Sequence, residues 1–256
     1  MAKRKLKQKN DLIRGDFENH WQGNELGEIA SEKIKGARDF FDPIEKHLKG
    51  KLLDVGCGDG VHFAYLQQTR KKVMKFFGVE ISLQALKGLK KRVRKMEAQL
   101  VVGDGVKLPI KNKKFDVVMA FGVLAYTSNP FGAFEEMVRV VKKDGLVGVW
   151  IYPKQTGLGG LVFGMVRNFC QMIGPFGTSK VADLIVPFLG ILPTRSKLSL
   201  ANASWSECRE VVLVNIAPEK LVFFEEKEIK HWFKKCDITI KHVDKINPIT
   251  IWGVKN

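Results

Sequence analysis

The chain has few of the residues that staple a fold covalently or through a metal. Its four cysteines, Cys57, Cys170, Cys208 and Cys236, lie far apart, with no CxxC pair and no histidine pattern beside them. That spacing argues against a disulfide framework or a metal site and suits a reducing, cytoplasmic setting. Acidic residues are also scarce: 27 Asp and Glu stand against 43 Lys and Arg, a net charge of +16. The imbalance favours polyanions, RNA or an anionic membrane surface, without choosing between them. The basic start MAKRKLKQKN lacks a following apolar core, so it does not read as a secretory signal. It also lacks aromatics on which bases could stack, and reads as a solvated tail. No internal repeat is visible. Residues 157–193 carry only Arg167, Lys180 and Asp183 as charges. Gly174-Pro175 and Pro187 break that stretch into pieces shorter than the ~20 apolar residues that span a bilayer. At 256 residues the chain can bury a full core, and one domain with additions is expected.

What is present is an alternation. Residues 1–49 read as the basic tail and an N-terminal helical segment. From residue 50, short apolar runs alternate with helical periodicity: KLLDV, VMKFFGVE (73–80), AQLVVGD (98–104), FDVVMAFG (115–122) and GLVGVWIY (145–152) are predicted strands. Between them Ser82 caps a helix with Leu83, Leu86, Leu89, Val93 and Met96 at helical spacing. Asn129-Pro130 opens another helix over 130–142. This order predicts an α/β, Rossmann-like doubly wound sheet, mostly parallel, with helices on both faces. An apolar helical insertion follows strand five, at about 154–216. It includes a helix near 205–216 opened by a Ser204/Glu207 capping box. A last helix near 225–235 has acids in its first turn and lysines in its last. DITIKHV and ITIWGVK close the sheet as an antiparallel edge pair.

The stretch LLDVGCGDG (52–60) carries the first functional signal. A glycine turn from strand to helix lets backbone approach a ligand and presents free N–H groups. The dinucleotide pattern GxGxxG fails, because Val61 stands in the place of its third glycine. Asp54 and Asp59 would repel a pyrophosphate but would attract a cation. S-adenosyl-L-methionine, with an ammonium and a sulfonium and no phosphate, fits that charge. Glu80 ends the second strand, where a carboxylate can accept hydrogen bonds from both ribose hydroxyls. Asp104 can accept from an adenine amino group, Gly105 lets the base lie against backbone, and Phe121 can line the site. Each acid alone could merely end a strand. Three at the carboxyl ends of successive strands point to a ligand.

These residues resemble the class I S-adenosylmethionine-dependent methyltransferases, and among them the ubiquinone/menaquinone-biosynthesis group. LLDVGCGDG looks like the family's first motif, taking in Asp54, Gly56, Cys57, Gly58 and Gly60. GVEIS, with Glu80 and Ile81, looks like its ribose motif, and VVGDGVKLPI, with Asp104 and Gly105, its adenine motif. FDVVMAFGVLAYTSNPFGAFEEMVRVVKKDGLVGVW, with Phe121, looks like its fourth-to-fifth-strand segment. The resemblance covers roughly residues 50–152 and implies a methyltransferase domain over 50–256. Relatives often place a histidine after the fourth strand; here Ala125-Tyr126 stand there, so no histidine base is implied. The Asn/Asp-Pro-Pro-Tyr pattern of amide and adenine methyltransferases is missing, and Lys143-Asp144 replaces a Pro-Gly turn.

No catalytic residue is assigned. Tyr126 can be a base or a pocket wall, His20 with Trp21 can close over the cofactor or face solvent, and His62 reads as a surface residue. The insertion can form a lid over a lipophilic acceptor, touch an anionic membrane surface, or add an ordinary helical layer. The leading expectation is methyl transfer to a small apolar acceptor. An RNA methyltransferase using the basic face Lys87, Lys90, Lys91, Arg94 and Lys95 is one alternative, and a non-catalytic S-adenosylmethionine-binding protein is the other. No metal is expected, and the sequence does not specify an oligomeric state.

Overall fold

A computed structural model describes Arg14, Gly15, Glu18 and residues 31–70, 74–92, 98–154, 157–189, 205–216, 221–244 and 249–256. It divides the chain into two compact units, residues 1–152 with 224–256, and residues 153–223.

The first unit is built on seven strands: β1 (Gly50–Val55), β2 (Met74–Glu80), β3 (Ala98–Val102), β4 (Phe115–Phe121), β5 (Val141–Ile151), β6 (Ile238–Asp244) and β7 (Ile249–Lys255). Their order across the sheet is β3-β2-β1-β4-β5-β7-β6. The pairs from β3 to β5 are parallel, and β7 runs antiparallel to both β5 and β6. The expected antiparallel pair closes that side of the sheet, with the reversed strand β7 inside and β6 outermost. The helices are α1 (Ser31–Phe41), α2 (Val61–Arg70), α3 (Leu83–Arg92), α4 (Pro130–Val140) and α7 (Glu226–Lys235). The chain moves outward from β1 to β3, then returns to lay β4 on the other side of β1. The crevice at this reversal, outside the carboxyl ends of β1 and β4, is where open α/β sheets take ligands.

Local chemistry fixes these elements. Asn129 accepts from the Gly132 N–H at 3.0 Å, and Pro130 follows at the first helical position, so α4 begins where expected. The Lys143-Asp144 replacement is accommodated because Asp144 adopts φ 59°, a left-handed conformation that aspartate tolerates better than most residues. Strand β5 bulges there and starts at Val141, earlier than the sequence suggests. On α3, Leu86 and Leu89 are buried as expected, while Leu83 is 48 % exposed. Val93, Arg94, Lys95 and Met96 lie outside the described residues. The core joins α1 to the sheet: Phe40, Phe41 and Trp252 are fully buried together, and the Trp252 indole N–H donates to the Phe40 carbonyl at 2.8 Å.

The second unit holds α5 (Gly157–Leu189) and α6 (Trp205–Ile216). The expected break appears at Gly174, whose φ of 70° kinks α5 into two limbs. Pro187 lies two residues before Leu189, where the described part of α5 ends. Cys170, Ala182, Val186, Cys208, Val212 and Ile216 form this unit's own core. Ser204 and the Glu207 side chain lie outside the described residues. Among the described residues, no helix is long and apolar enough to cross a membrane.

Candidate functional site

The sheet brings the predicted acids to one edge. Asp54 pairs in register with Gly78 on β2 and with Met119 on β4, and Glu80 pairs with Val102 on β3. Gly103 N–H then bonds to the Glu80 carbonyl at 2.9 Å, carrying the chain into Asp104. Asp54, Glu80, Asp104 and Phe121 therefore lie at or just beyond the carboxyl ends of four neighbouring strands.

The glycine loop between β1 and α2 is tied to β2 by the Gly56 and Cys57 N–H groups, which both reach the Val79 carbonyl, at 2.7 and 3.3 Å. Gly56, Gly58 and Gly60 all have positive φ, at 74°, 45° and 77°. A side chain would also collide: a Cβ on Gly56 would stand 2.3 Å from Val123, and one on Gly60 2.1 Å from Leu89. Only glycine satisfies both conditions. Cys57 turns its sulfur into the core against Gly78, and burial pushes its thiol well above the ordinary range. It contributes backbone to the loop, not a reactive group.

Glu80 organises this edge. Its Oε2 accepts from Gly58 N–H at 3.0 Å, and its Oε1 from Ile81 and Ser82 N–H at 2.9 and 3.1 Å. Burial raises its carboxyl above the ordinary value, with the three N–H groups opposing that shift. Asp104 Oδ1 accepts from Val106 N–H at 3.0 Å in a tight turn. Gly105 sits over Val55 at the end of β1.

The two loop acids do different work. Asp59 caps α2 through Val61 N–H and pairs with Lys33 of α1 at 3.3 Å. Asp54 is fully buried, and desolvation raises its carboxyl, with His62 opposing. His62 is only 5 % exposed, which corrects its reading as a surface residue. Its Nδ1 stands 2.9 Å from Asp54 Oδ2. Either group can donate across that contact, depending on which of them carries the proton. Asp54 Oδ1 and His62 Nε2 are both buried without a hydrogen-bond partner. The glycine spacing signals the loop but not this pair. The available signal was the Asp54-to-His62 distance in sequence, which crosses from strand end to first helical turn.

An aromatic wall continues from His62. Its ring lies 4.7 Å from that of Phe121, which stacks on Trp150 at 4.4 Å and meets Phe40 edge-on at 5.2 Å. Trp150 meets Tyr152 edge-on at 4.8 Å, and Tyr152 meets Tyr126 at 6.0 Å. Desolvation raises the Tyr152 hydroxyl above the ordinary phenol range, opposed by a hydrogen bond from Tyr126. Sequence reasoning missed Glu18 as well. Its carboxylate accepts from Leu83 N–H at 2.6 Å, Gln84 N–H at 3.2 Å and the Ser82 hydroxyl at 3.1 Å, beside the Ser82 cap on Ala85 N–H. A contact more than sixty residues away in sequence leaves no local pattern to read. His20 and Trp21 lie outside the described residues. Among those described, no cluster of three or more His, Cys, Asp or Glu could hold a metal.

Comparison with known proteins agrees with this geometry. Residues 53–149 match the family described as a methyltransferase domain. An uncharacterised protein of Methanocaldococcus jannaschii is 27 % identical over 120 residues, covering 46 % of this chain and 53 % of that protein. Demethylmenaquinone methyltransferase of Staphylococcus aureus is 34 % identical over 99 residues, covering 38 % of this chain and 41 % of the enzyme. The chain thus spans about half, or less, of the curated relatives it matches. Among solved structures, magnesium protoporphyrin IX methyltransferase from Synechocystis PCC 6803, with bound SAH, superposes with a TM-score of 0.59. That match is 12 % identical and covers 96 % of this chain and 99 % of the other, a likeness of fold.

Proposed function

We propose that this chain, whose residues 53–149 form a class I S-adenosylmethionine-dependent methyltransferase domain, moves a methyl group to a small lipophilic acceptor. The observation that carries the reading is the buried, unpartnered Oδ1 of Asp54 beside the glycine loop. A buried carboxylate oxygen without a donor is unfavourable, and a cationic ligand group supplies what it lacks. A phosphate there would add a second negative charge. The residues present therefore fit S-adenosylmethionine. Asp54 would hold its ammonium group, Glu80 its ribose hydroxyls and Asp104 its adenine, with Gly56, Gly58, Gly60, Ile81 and Gly105 giving the backbone approach.

When bound, that cofactor supplies a methyl group on a sulfonium, a good leaving group for in-line displacement. The chain's own work is alignment and exclusion of water. Near-attack positioning can account for about 7–11 kcal/mol of a lowered barrier in the best cases. Phe121 and Trp150 at the carboxyl ends of β4 and β5, with Tyr126 and Tyr152 just past them, form an aromatic wall that suits a flat or greasy acceptor better than a charged one. The kinship with a demethylmenaquinone methyltransferase points the same way. Incubation of the protein with methyl-labelled cofactor and separate lipid, RNA and protein fractions tests the reading. Label in the lipid fraction is expected. Label in RNA would overturn the acceptor class, and normal cofactor binding with no label anywhere would make this a binding protein.

A further inference from the structure

The first limb of α5, from Gly157 to the kink at Gly174, is apolar on two sides, and only one is covered within its unit. Phe163, Val166 and Cys170 face inward against the second limb and α6. The outer face carries Leu158, Leu161, Val162, Met165, Phe169 and Met172, which are 77, 63, 52, 64, 53 and 84 % exposed. Their spacing places all six on one stripe, extending roughly 21 Å along the helix at 1.5 Å per residue. The limb's only charged residue, Arg167, is buried, so no charge interrupts the stripe. Scattered exposed apolar residues are ordinary on a protein surface, but a continuous uncharged row of this length marks a contact surface.

We propose that this stripe is a membrane-surface contact, seated in the interface of an anionic bilayer. Two occupants could cover it from outside the chain: a second copy or a lipid surface. Charge distinguishes them. Two chains of +16 each repel as they approach, whereas an anionic lipid surface attracts the same charge. Lys154, four residues upstream of the stripe, is exposed. The helix lies along the membrane plane and does not cross it, the arrangement of an interfacial helix whose apolar side enters the headgroup–acyl boundary. The surface lies wholly within residues 153–223, so this inference does not depend on the methyl-transfer reading.

Co-sedimentation with vesicles tests it, using phosphatidylcholine alone and phosphatidylcholine doped with phosphatidylglycerol. The full chain should pellet with the doped vesicles. Salt should weaken that binding without abolishing it, because the apolar part is unscreened. The triple variant Leu161→Gln/Met165→Gln/Phe169→Gln leaves net charge unchanged, and should bind the doped vesicles at least about tenfold less tightly. Its helical circular dichroism and its affinity for S-adenosylhomocysteine should match wild type. Met172→Gln alone, at the most exposed position, should weaken binding in the same direction if the triple variant folds poorly. Equal binding of wild type and variants would show attraction by charge alone and overturn the proposal. Failure to bind doped vesicles would overturn it too, as would a wild-type dimer that the triple variant converts to monomer.

Discussion

Glu80→Ala removes a carboxylate that holds three backbone N–H groups and, on the proposed reading, two ribose hydroxyls. A hydrogen bond to a charged group contributes about 1.5–3 kcal/mol, so losing one ribose contact should weaken cofactor binding about 10–150-fold. The variant also releases Gly58, Ile81 and Ser82, and each buried N–H left without a partner costs about 1–3 kcal/mol unless water replaces the carboxylate. A fall in affinity alone would therefore mix ribose recognition with loop damage. Calorimetry with S-adenosylhomocysteine and its 2′-deoxy analogue separates them. In wild type the deoxy analogue should bind less tightly; in Glu80→Ala the two ligands should bind alike, because the hydroxyl has lost its acceptor. Glu80→Gln should fall between, since its amide turns an NH₂ toward N–H donors on one side. Acidification adds a check. Burial raises the Glu80 carboxyl above 4.5, so affinity carried by its anion is complete only above the raised value. It should be lost as pH falls through that value, earlier than for an ordinary glutamate. Folding stability runs the other way: this group's contribution is fullest below 4.5 and declines as pH rises through the raised value. An unchanged preference for the ribose hydroxyl in a folded Glu80→Ala protein would refute the assignment.

Asp54→Asn should raise the melting temperature at neutral pH, by about 2–4 °C for each kcal/mol of desolvation relieved, while lowering cofactor affinity; scanning calorimetry and titration read the two effects separately. His62→Phe strips the buried Asp54 of its one hydrogen bond, and breaking a buried pair on one side costs about 3–5 kcal/mol. The double variant with Asp54→Asn should recover much of that loss, and simple additivity in thermal melts would count against the pairing. Deleting residues 157–193 across a glycine-serine linker should leave S-adenosylhomocysteine affinity near wild type, because the proposed cofactor residues lie between 54 and 121 in the other compact unit. Methylation of the acceptor fraction should drop, and undiminished transfer would show that the segment is neither lid nor pocket.

Much of the fold was legible because its signals are local. The Asn129 cap, the Ser82 cap and the positive-φ glycines act within a few residues of where they stand. Period-two and helical spacing then placed β1, β2, β4, α4 and α7 closely. The mostly parallel sheet followed from general rules of crossover, while its strand order is visible only in the structure. What the sequence hid depends on folding itself. His62 looked solvent-facing because a histidine at the start of a helix carries no mark of the α1 aromatics that cover it; the Phe40 and Phe41 rings stand 6.2 and 6.0 Å from its own only after the chain has closed. Glu18 capping α3 is hidden for the same reason.

The arrangement of acids is better explained by a ligand than by stability. A chain of net charge +16 has abundant cations with which to neutralise its 27 carboxylates. Asp59 is treated in that way, with Lys33 at hand, as is Asp116 with Lys142. Glu80 and Asp54 are not. Glu80 is held by neutral N–H groups and Asp54 by one imidazole, and desolvation raises both carboxyls. Burying them without a lysine or arginine leaves negative potential concentrated at the carboxyl ends of β1 and β2. A fold under selection for stability alone would replace such groups or pair them. On the proposed reading, two buried carboxyls with no lysine or arginine beside them prepare the crevice for a positively charged group that also brings hydroxyl donors. The same logic excludes a dinucleotide, whose pyrophosphate would meet that potential with its own charge.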